Sequence, residues 1–134
     1  MSWTPDELER LRRAHELKVA TPGRDEVLRP WVPVWLVVVE DRLYVRTWYR
    51  RDTGWYGRAL RSHRARVRVP GVEADVAVAD VSTDGPGLRE RVDAAYLAAY
   101  GRHGTGSVAA MLSDEAAATT LRLDPDTPRI RRFT

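Results

Sequence analysis

Two pairs of strand-like runs in this sequence are joined by links so short that the chain can only turn back on itself. Ala65 to Val69 and Val72 to Val81 are separated by Pro70-Gly71, and Trp31 to Val39 and Leu43 to Trp48 by Glu40-Asp41-Arg42. A parallel pair needs a crossover of about a dozen residues or more, so both links dictate antiparallel hairpins. In the run from Val72, Val72, Ala74, Val76 and Val78 alternate with Glu73, Asp75, Ala77 and Ala79, a half-buried pattern. Trp31 to Val39 is rich in valine and tryptophan and reads as one strand buried on most of both faces. Pro30 and Pro33 cannot donate ladder hydrogen bonds, which makes its start an edge or a bulge. On the returning run, Leu43, Val45 and Thr47 face one side and Tyr44, Arg46 and Trp48 the other.

Helices flank these hairpins. Thr4 is the N-cap of a first helix, Pro5 its first helical residue and Glu7 the partner in a capping box. Leu8 and Leu11 form its apolar face, extended by Ala14 and His15, and it ends near Glu16. Leu17 to Thr21 reads as a short strand, followed by a turn at Pro22-Gly23-Arg24-Asp25. Arg51 to Gly54 is a second turn, and Trp55 to Ser62 a short helix with Trp55, Ala59 and Leu60 on one side. A longer helix runs from Leu88 to Tyr100, with Leu88, Val92, Ala95 and Ala99 as its stripe and Gly101 as its stop. Val108 to Leu112 reads as helical, Ser113 caps a turn through Ala118, Thr119 to Leu123 is a last strand, and Asp124 to Thr134 an irregular tail. The expected fold is mainly β with peripheral helices: one domain over residues 1–134, a helix to 16, barrel strands over 17–81, a helix over 88–101 and the tail.

Composition removes several chemistries. The chain has no cysteine, so disulfides, cysteine-ligated zinc, iron–sulfur clusters and thiol catalysis are excluded together. A reducing cytoplasm fits that usage. The longest apolar run, Val32 to Val39, is far short of the ~20 residues that span a bilayer. Met1 to Arg13 is a charged helix pattern and not a signal peptide, so a cytoplasmic protein without membrane partners is expected. His15, His63 and His103 have no ligand spacing, so no metal site is expected. Gly101, Gly104 and Gly106 follow a helix, whereas a dinucleotide loop follows a strand. The acidic pairs Asp6-Glu7, Asp25-Glu26, Glu40-Asp41 and Asp114-Glu115 fall at helix starts and turns, where structure alone accounts for them.

Charge distribution is more informative than net charge. Nine arginines lie between Arg42 and Arg68 against Asp52 as the only acid, which gives +8 there and leaves −5 elsewhere in a chain of net charge +3. Within this stretch, Tyr44, Trp48, Tyr49, Trp55 and Tyr56 interleave with Arg46, Arg50, Arg51 and Arg58. Flat aromatic faces stack on planar rings, and arginine forks bind phosphate through paired hydrogen bonds. Three readings stand side by side: a hairpin whose aromatics are core and whose arginines are solvated, a site for an anionic cofactor or ligand, and a nucleic-acid surface over Arg42 to Arg68.

Leu43-Tyr44-Val45-Arg46-Thr47, the turn with Arg50-Arg51 and the helix Trp55 to Leu60 before Ala65 to Val69 resemble the split barrel of pyridoxamine-phosphate-oxidase-like flavoproteins. Arg29-Pro30-Trp31-Val32-Pro33-Val34-Trp35 is similar to the strand that enters the cofactor site of that fold. More of the chain resembles an uncharacterised bacterial family, domain of unknown function 2255, through Glu7 to Leu11, Arg29 to Trp35, Leu43 to Arg46, Trp55-Tyr56, Ala94-Ala95-Tyr96, Tyr100-Gly101 and Ala118 to Leu123. The resemblance implies a small antiparallel split β-barrel, a homodimer, and flavin mononucleotide (FMN) or a deazaflavin as cofactor of a reductase. By that resemblance Arg46, Arg50, Arg51 and Arg58 would hold phosphate or other acidic groups. Thr47 would donate a hydrogen bond near the phosphate, and Trp31, Trp35 and Trp55 would wall the ring. The turn departs from the oxidases' serine-arginine-lysine character, since it reads Tyr49-Arg50-Arg51-Asp52. A non-catalytic ligand-binding protein on the same barrel is the alternative implied by fold alone.

Overall fold

A computed structural model describes residues 2–47, 54–101 and 105–126. Helix α1 (Pro5–Arg13) opens with the expected capping box: the Thr4 hydroxyl accepts from the Glu7 N–H at 3.2 Å and the Glu7 carboxylate accepts from the Thr4 N–H at 2.9 Å. It ends at Arg13 and not near Glu16, because Ala14 is already extended and leads into β1 (Leu17–Ala20). Then come β2 (Val32–Val34), β3 (Leu36–Val39), β4 (Arg42–Val45), α2 (Gly54–Ser62), β5 (Arg64–Val69), β6 (Val72–Asp80), α3 (Pro86–Tyr100), α4 (Thr105–Leu112), α5 (Asp114–Ala117) and β7 (Leu121–Pro125).

The seven strands form one antiparallel sheet in the order β2-β1-β5-β6-β7-β4-β3. Its two outer members are chain neighbours, parted only by Trp35, so the sheet curls into a nearly closed barrel. The expected single strand from Trp31 to Val39 is thereby corrected to two. Its first half pairs with β1 (Val19 opposite Val32) and its second with β4 (Val39 opposite Arg42). Pro33 has no N–H for a second neighbour, in keeping with an edge position. Both hairpins form, but the first turns on Glu40 and Asp41 alone, so β4 takes in Arg42 of the expected link and ends at Val45, before Arg46 and Thr47. Glu40 and Asp41 take left-handed φ values of 50° and 65° in the two-residue β3–β4 turn, and Gly71 has φ 84° between β5 and β6.

Strand alternation divides the apolar side chains between two cores. Leu36, Leu43, Val45, Val67, Val76 and Leu123 fill the barrel, which α1 closes with Leu8 and Leu11. Val37, Val39 and Tyr44 point outward and are covered by Val92, Tyr96 and Tyr100 of α3 and by Val108 and Met111 of α4. The buried stripe of α3 is thus Val92, Tyr96 and Tyr100; Leu88 and Ala95 pack at its margin and Ala99 is exposed. Helix α2 likewise buries Tyr56, Gly57 and Ala59, with Trp55 and Leu60 half-buried. The last strand starts at Leu121, two residues later than expected, and takes in Asp124 and Pro125 of the expected tail. No described helix is long and apolar enough to cross a membrane.

Candidate anion and cofactor site

Ion pairing sorts the arginines. Arg42 faces Asp124, Arg46 Asp93, Arg64 Glu26, Arg66 Asp75 and Arg68 Glu73. The stretch that looks uncompensated in sequence therefore meets most of its carboxylates in space. Every other described cation also has a carboxylate within ion-pair distance, except Arg24, Arg58 and Arg61.

These exceptions fall on two elements that touch. Arg58 and Arg61 lie on α2, and Arg24 on the loop between β1 and β2. The Arg58 Nε donates to the buried Thr21 Oγ1 at 2.9 Å, which fixes the root of its fork; its two Nη groups have no hydrogen-bond partner among the described residues. The loop is held by its own bonds. The Arg29 N–H donates to Thr21 O at 2.9 Å, the Gly23 N–H to Val27 O at 3.0 Å, and the Arg29 guanidinium lies over Gly23 to reach Asp25 at 3.2 Å. Burial, then the charges of Arg29 and Arg61, hold the Arg58 pKa below the ordinary arginine value. The Asp25 carboxyl is held low chiefly by the Val27 N–H, so it stays an anion that serves Arg29. What remains is a half-buried, anchored guanidinium among like charges, an arrangement that an incoming anion relieves.

The candidate residues from sequence fall into separate places. Trp55 stands one turn ahead of Arg58 on α2, edge-on to Tyr56 with ring centroids 5.9 Å apart. Trp31 is half-buried at the other end of the loop, with the Arg68 guanidinium 4.4 Å from its ring centroid. Arg46 and Trp35 sit in the outer layer under α3. Trp35 stacks on Tyr100 at 4.3 Å and 3°, and its carbonyl accepts from the Tyr96 hydroxyl at 3.0 Å. Arg46 is buried: Nε donates to Thr120 Oγ1 at 2.9 Å, and Nη1 donates to Asp93 at 2.6 Å and to Met111 O at 2.9 Å. Its Nη2 is buried without a partner among the described residues. Thr47 follows, its backbone held in both directions by the Thr119 hydroxyl at 2.9 and 2.8 Å. Arg50 and Arg51 lie outside the described residues, in the segment that joins Thr47 to α2.

Sequence reasoning missed Arg24, Arg61, Thr21 and Asp93. A signal for Arg58 and Arg61 was present, because α2 holds no acid, whereas α1 sets Arg10 on Asp6 and Arg13 on Glu9 one turn apart. Asp93 had no local signal, since it meets Arg46 from 47 positions away.

The fold is similar to several solved structures. A FAD-binding protein from Mesorhizobium loti shares 15% identity at a TM-score of 0.58, covering 95% of this chain and 93% of that one. HutZ, the heme storage protein from Vibrio cholerae, shares 13% at 0.61, covering 96% and 93%. An F420 reductase shares 14% at 0.50, covering 89% and 92%. At these identities the likeness is one of fold, the split barrel. No curated protein matches the sequence. The family model of uncharacterised proteins conserved in bacteria, domain of unknown function 2255, matches residues 7–123, and the chain belongs to that family.

Proposed function

We propose that this protein binds a flavin- or deazaflavin-type cofactor and serves as a reductase for a small organic substrate. The observation that carries this reading is that, among the described residues, the arginines without a carboxylate are confined to α2 and the loop beside it. Arg58 would grip the cofactor's phosphate or acidic tail with the two Nη groups that have no partner among the described residues, together with Arg50 and Arg51 of the neighbouring segment and with Arg61. Thr47 would offer a hydroxyl, and Trp31 and Trp55 would wall the ring. In this reading Arg46 and Trp35 support the site from beneath: Arg46 fixes the end of β4, from which the binding segment departs. Neighbours of this fold include a FAD-binding protein and an F420 reductase, which supports the choice of cofactor class. The bound group would supply hydride transfer, and the chain its position and electrostatics. A homodimer goes with the proposal, by analogy of fold.

Asp124, Glu26, Asp75 and Glu73 stand among Arg42, Arg64, Arg66 and Arg68, so a phosphate backbone would meet acids there as well as arginines, which tells against a nucleic-acid surface. The test is a titration with FMN and, separately, a deazaflavin, followed by tryptophan quenching and the visible spectrum. Saturable binding of one, lost in Arg50→Glu/Arg51→Glu and in Arg58→Glu/Arg61→Glu, is expected. Silence from both, in a folded protein, would sink the cofactor assignment; binding without reduction of any acceptor would leave a non-catalytic ligand-binding protein.

A further inference from the structure

Strand β3 lies at one end of the sheet and, among the described residues, pairs with β4 alone. In an antiparallel pair, successive residues turn their N–H and C=O groups alternately toward the partner and away from it. The two-residue turn makes Val39 opposite Arg42 the closing hydrogen-bonded pair, and Val37 opposite Tyr44 the next. Leu36 and Val38 therefore present their backbone groups to the free edge. At Leu36 this edge is closed by a side chain: the Tyr100 hydroxyl accepts from the N–H at 3.1 Å and donates to the C=O at 2.7 Å. Nothing does the same at Val38, whose N–H and C=O have no partner among the described residues.

A groove of about 640 Å³ opens over this edge. One wall is the end of α1 and its exit, Leu11 to His15; the other is Ala95, Ala98 and Ala99 of α3; Leu36 to Val38 line its floor. Alanines leave room and offer an apolar surface. The lining holds Arg12, Arg13 and His15 and no carboxylate.

We propose that this groove takes a short extended peptide segment bearing a carboxylate, bridged to the backbone of Val38. An unpaired strand edge is a template for such addition, in which main-chain bonds give affinity and side-chain contacts give selectivity. Arg12 and Arg13 pair with Asp41 and Glu9 at the surface, exposed pairs of small worth that a carboxylate on the segment can replace. A second copy's β3 is a poor occupant, because that edge is equally recessed between α1 and α3. The chain's own last residues carry Arg129, Arg131 and Arg132, the same sign as the rim.

The test uses the chain labelled with nitrogen-15 and two pentapeptides acetylated at the N-terminus and amidated at the C-terminus, Ala-Val-Ala-Glu-Glu and its lysine counterpart Ala-Val-Ala-Lys-Lys, so that only the first bears carboxylates. In the free protein the Val38 amide should exchange about tenfold or more faster than those of Val37 and Val39. The acidic peptide should slow that exchange and shift Leu36 to Val38 and Ala98; the lysine peptide should do neither. Ala98→Trp, a filling of the groove from an exposed position, and Arg12→Glu/Arg13→Glu should each weaken binding about tenfold or more. The proposal is overturned if Val38 is as protected as Val37 in the free chain, if both peptides bind alike or neither binds, or if Ala98→Trp leaves affinity unchanged. It is also overturned if Ala98→Trp converts a dimer to monomers, which would make a second copy the occupant.

Discussion

Arg46 and Asp93 meet at 2.6 Å with the arginine side chain wholly removed from solvent and the aspartate 28% exposed. The pair ties the end of β4 to the middle of α3. Its other bonds, to Thr120 and Met111, reach the approach to β7 and the end of α4. The Tyr96 ring adds a face 5.6 Å from the guanidinium. Four elements thus converge on one buried cation next to the segment that carries Arg50 and Arg51.

A charge buried this way depends on its partner. Breaking a buried pair from one side costs about 3–5 kcal/mol, because the other charge is left without compensation. Asp93→Asn should lower stability toward that figure, as seen in urea unfolding. Arg46→Met should cost less, since Asp93 is part-exposed and keeps Arg89 at 3.6 Å. Equal losses in both variants would show that the guanidinium contributes through packing and not through charge.

The Tyr100 hydroxyl stands in for a missing neighbouring strand at Leu36. Tyr100→Phe keeps the stack on Trp35 but leaves a buried N–H and C=O unmet, so a loss of about 1–3 kcal/mol is expected. The more specific readout is local: amide exchange at Leu36 should accelerate, while that at Val37 changes only with global stability. An unchanged Leu36 amide would mean that the tyrosine hydroxyl does not protect it.

Burial raises the pKa values of Tyr44, Tyr96 and Tyr100 above the ordinary tyrosine value. The unfolded chain loses these protons from about pH 10 upward while the folded chain keeps them, so stability is full below that pH and falls as pH rises beyond it. In an alkaline absorbance titration all three should ionise later than free tyrosine, and Tyr96, wholly buried, should stay silent until the protein unfolds. Replacing Tyr96 by Phe should leave the pre-unfolding part of the curve unchanged; a diminished early phase would place its hydroxyl in contact with solvent.

Local chemistry made much of the fold legible. The capping box of α1, the Pro70-Gly71 turn and the facing of Leu43, Tyr44 and Val45 each follow from residues within a few positions of one another, and each forms as expected. What escaped depends on distant partners. The break at Trp35 exists because β1 takes one half of the run and β4 the other. The α3 stripe shifted to Tyr96 and Tyr100 because their hydroxyls have carbonyls waiting at Trp35 and Leu36. The charge excess over Arg42 to Arg68 was a true feature of the sequence, but its acids come from Glu26, Glu73, Asp75, Asp93 and Asp124. Only pairing in space shows that Arg58 and Arg61 are the described arginines of that stretch left over.

The crowding of Arg29, Arg58 and Arg61 should leave a thermodynamic trace without any cofactor present. A ligand that binds only the folded state raises its stability by RT ln(1 + [L]/Kd), so inorganic phosphate should raise the melting temperature in proportion to the logarithm of its concentration once above Kd. Phosphate also stabilises proteins through exclusion from their surface, so the comparison is with Arg58→Gln/Arg61→Gln under the same salt. The variant should keep the exclusion effect and lose the saturable part. In phosphate-free buffer it should lose no more than the hydrogen bond from Arg58 to Thr21, about 1 kcal/mol, because neither arginine has a carboxylate partner among the described residues and removing them relieves repulsion on Arg29. A variant that loses clearly more in that buffer would show that these side chains support the fold, and identical phosphate responses in parent and variant would remove α2 as the anion site.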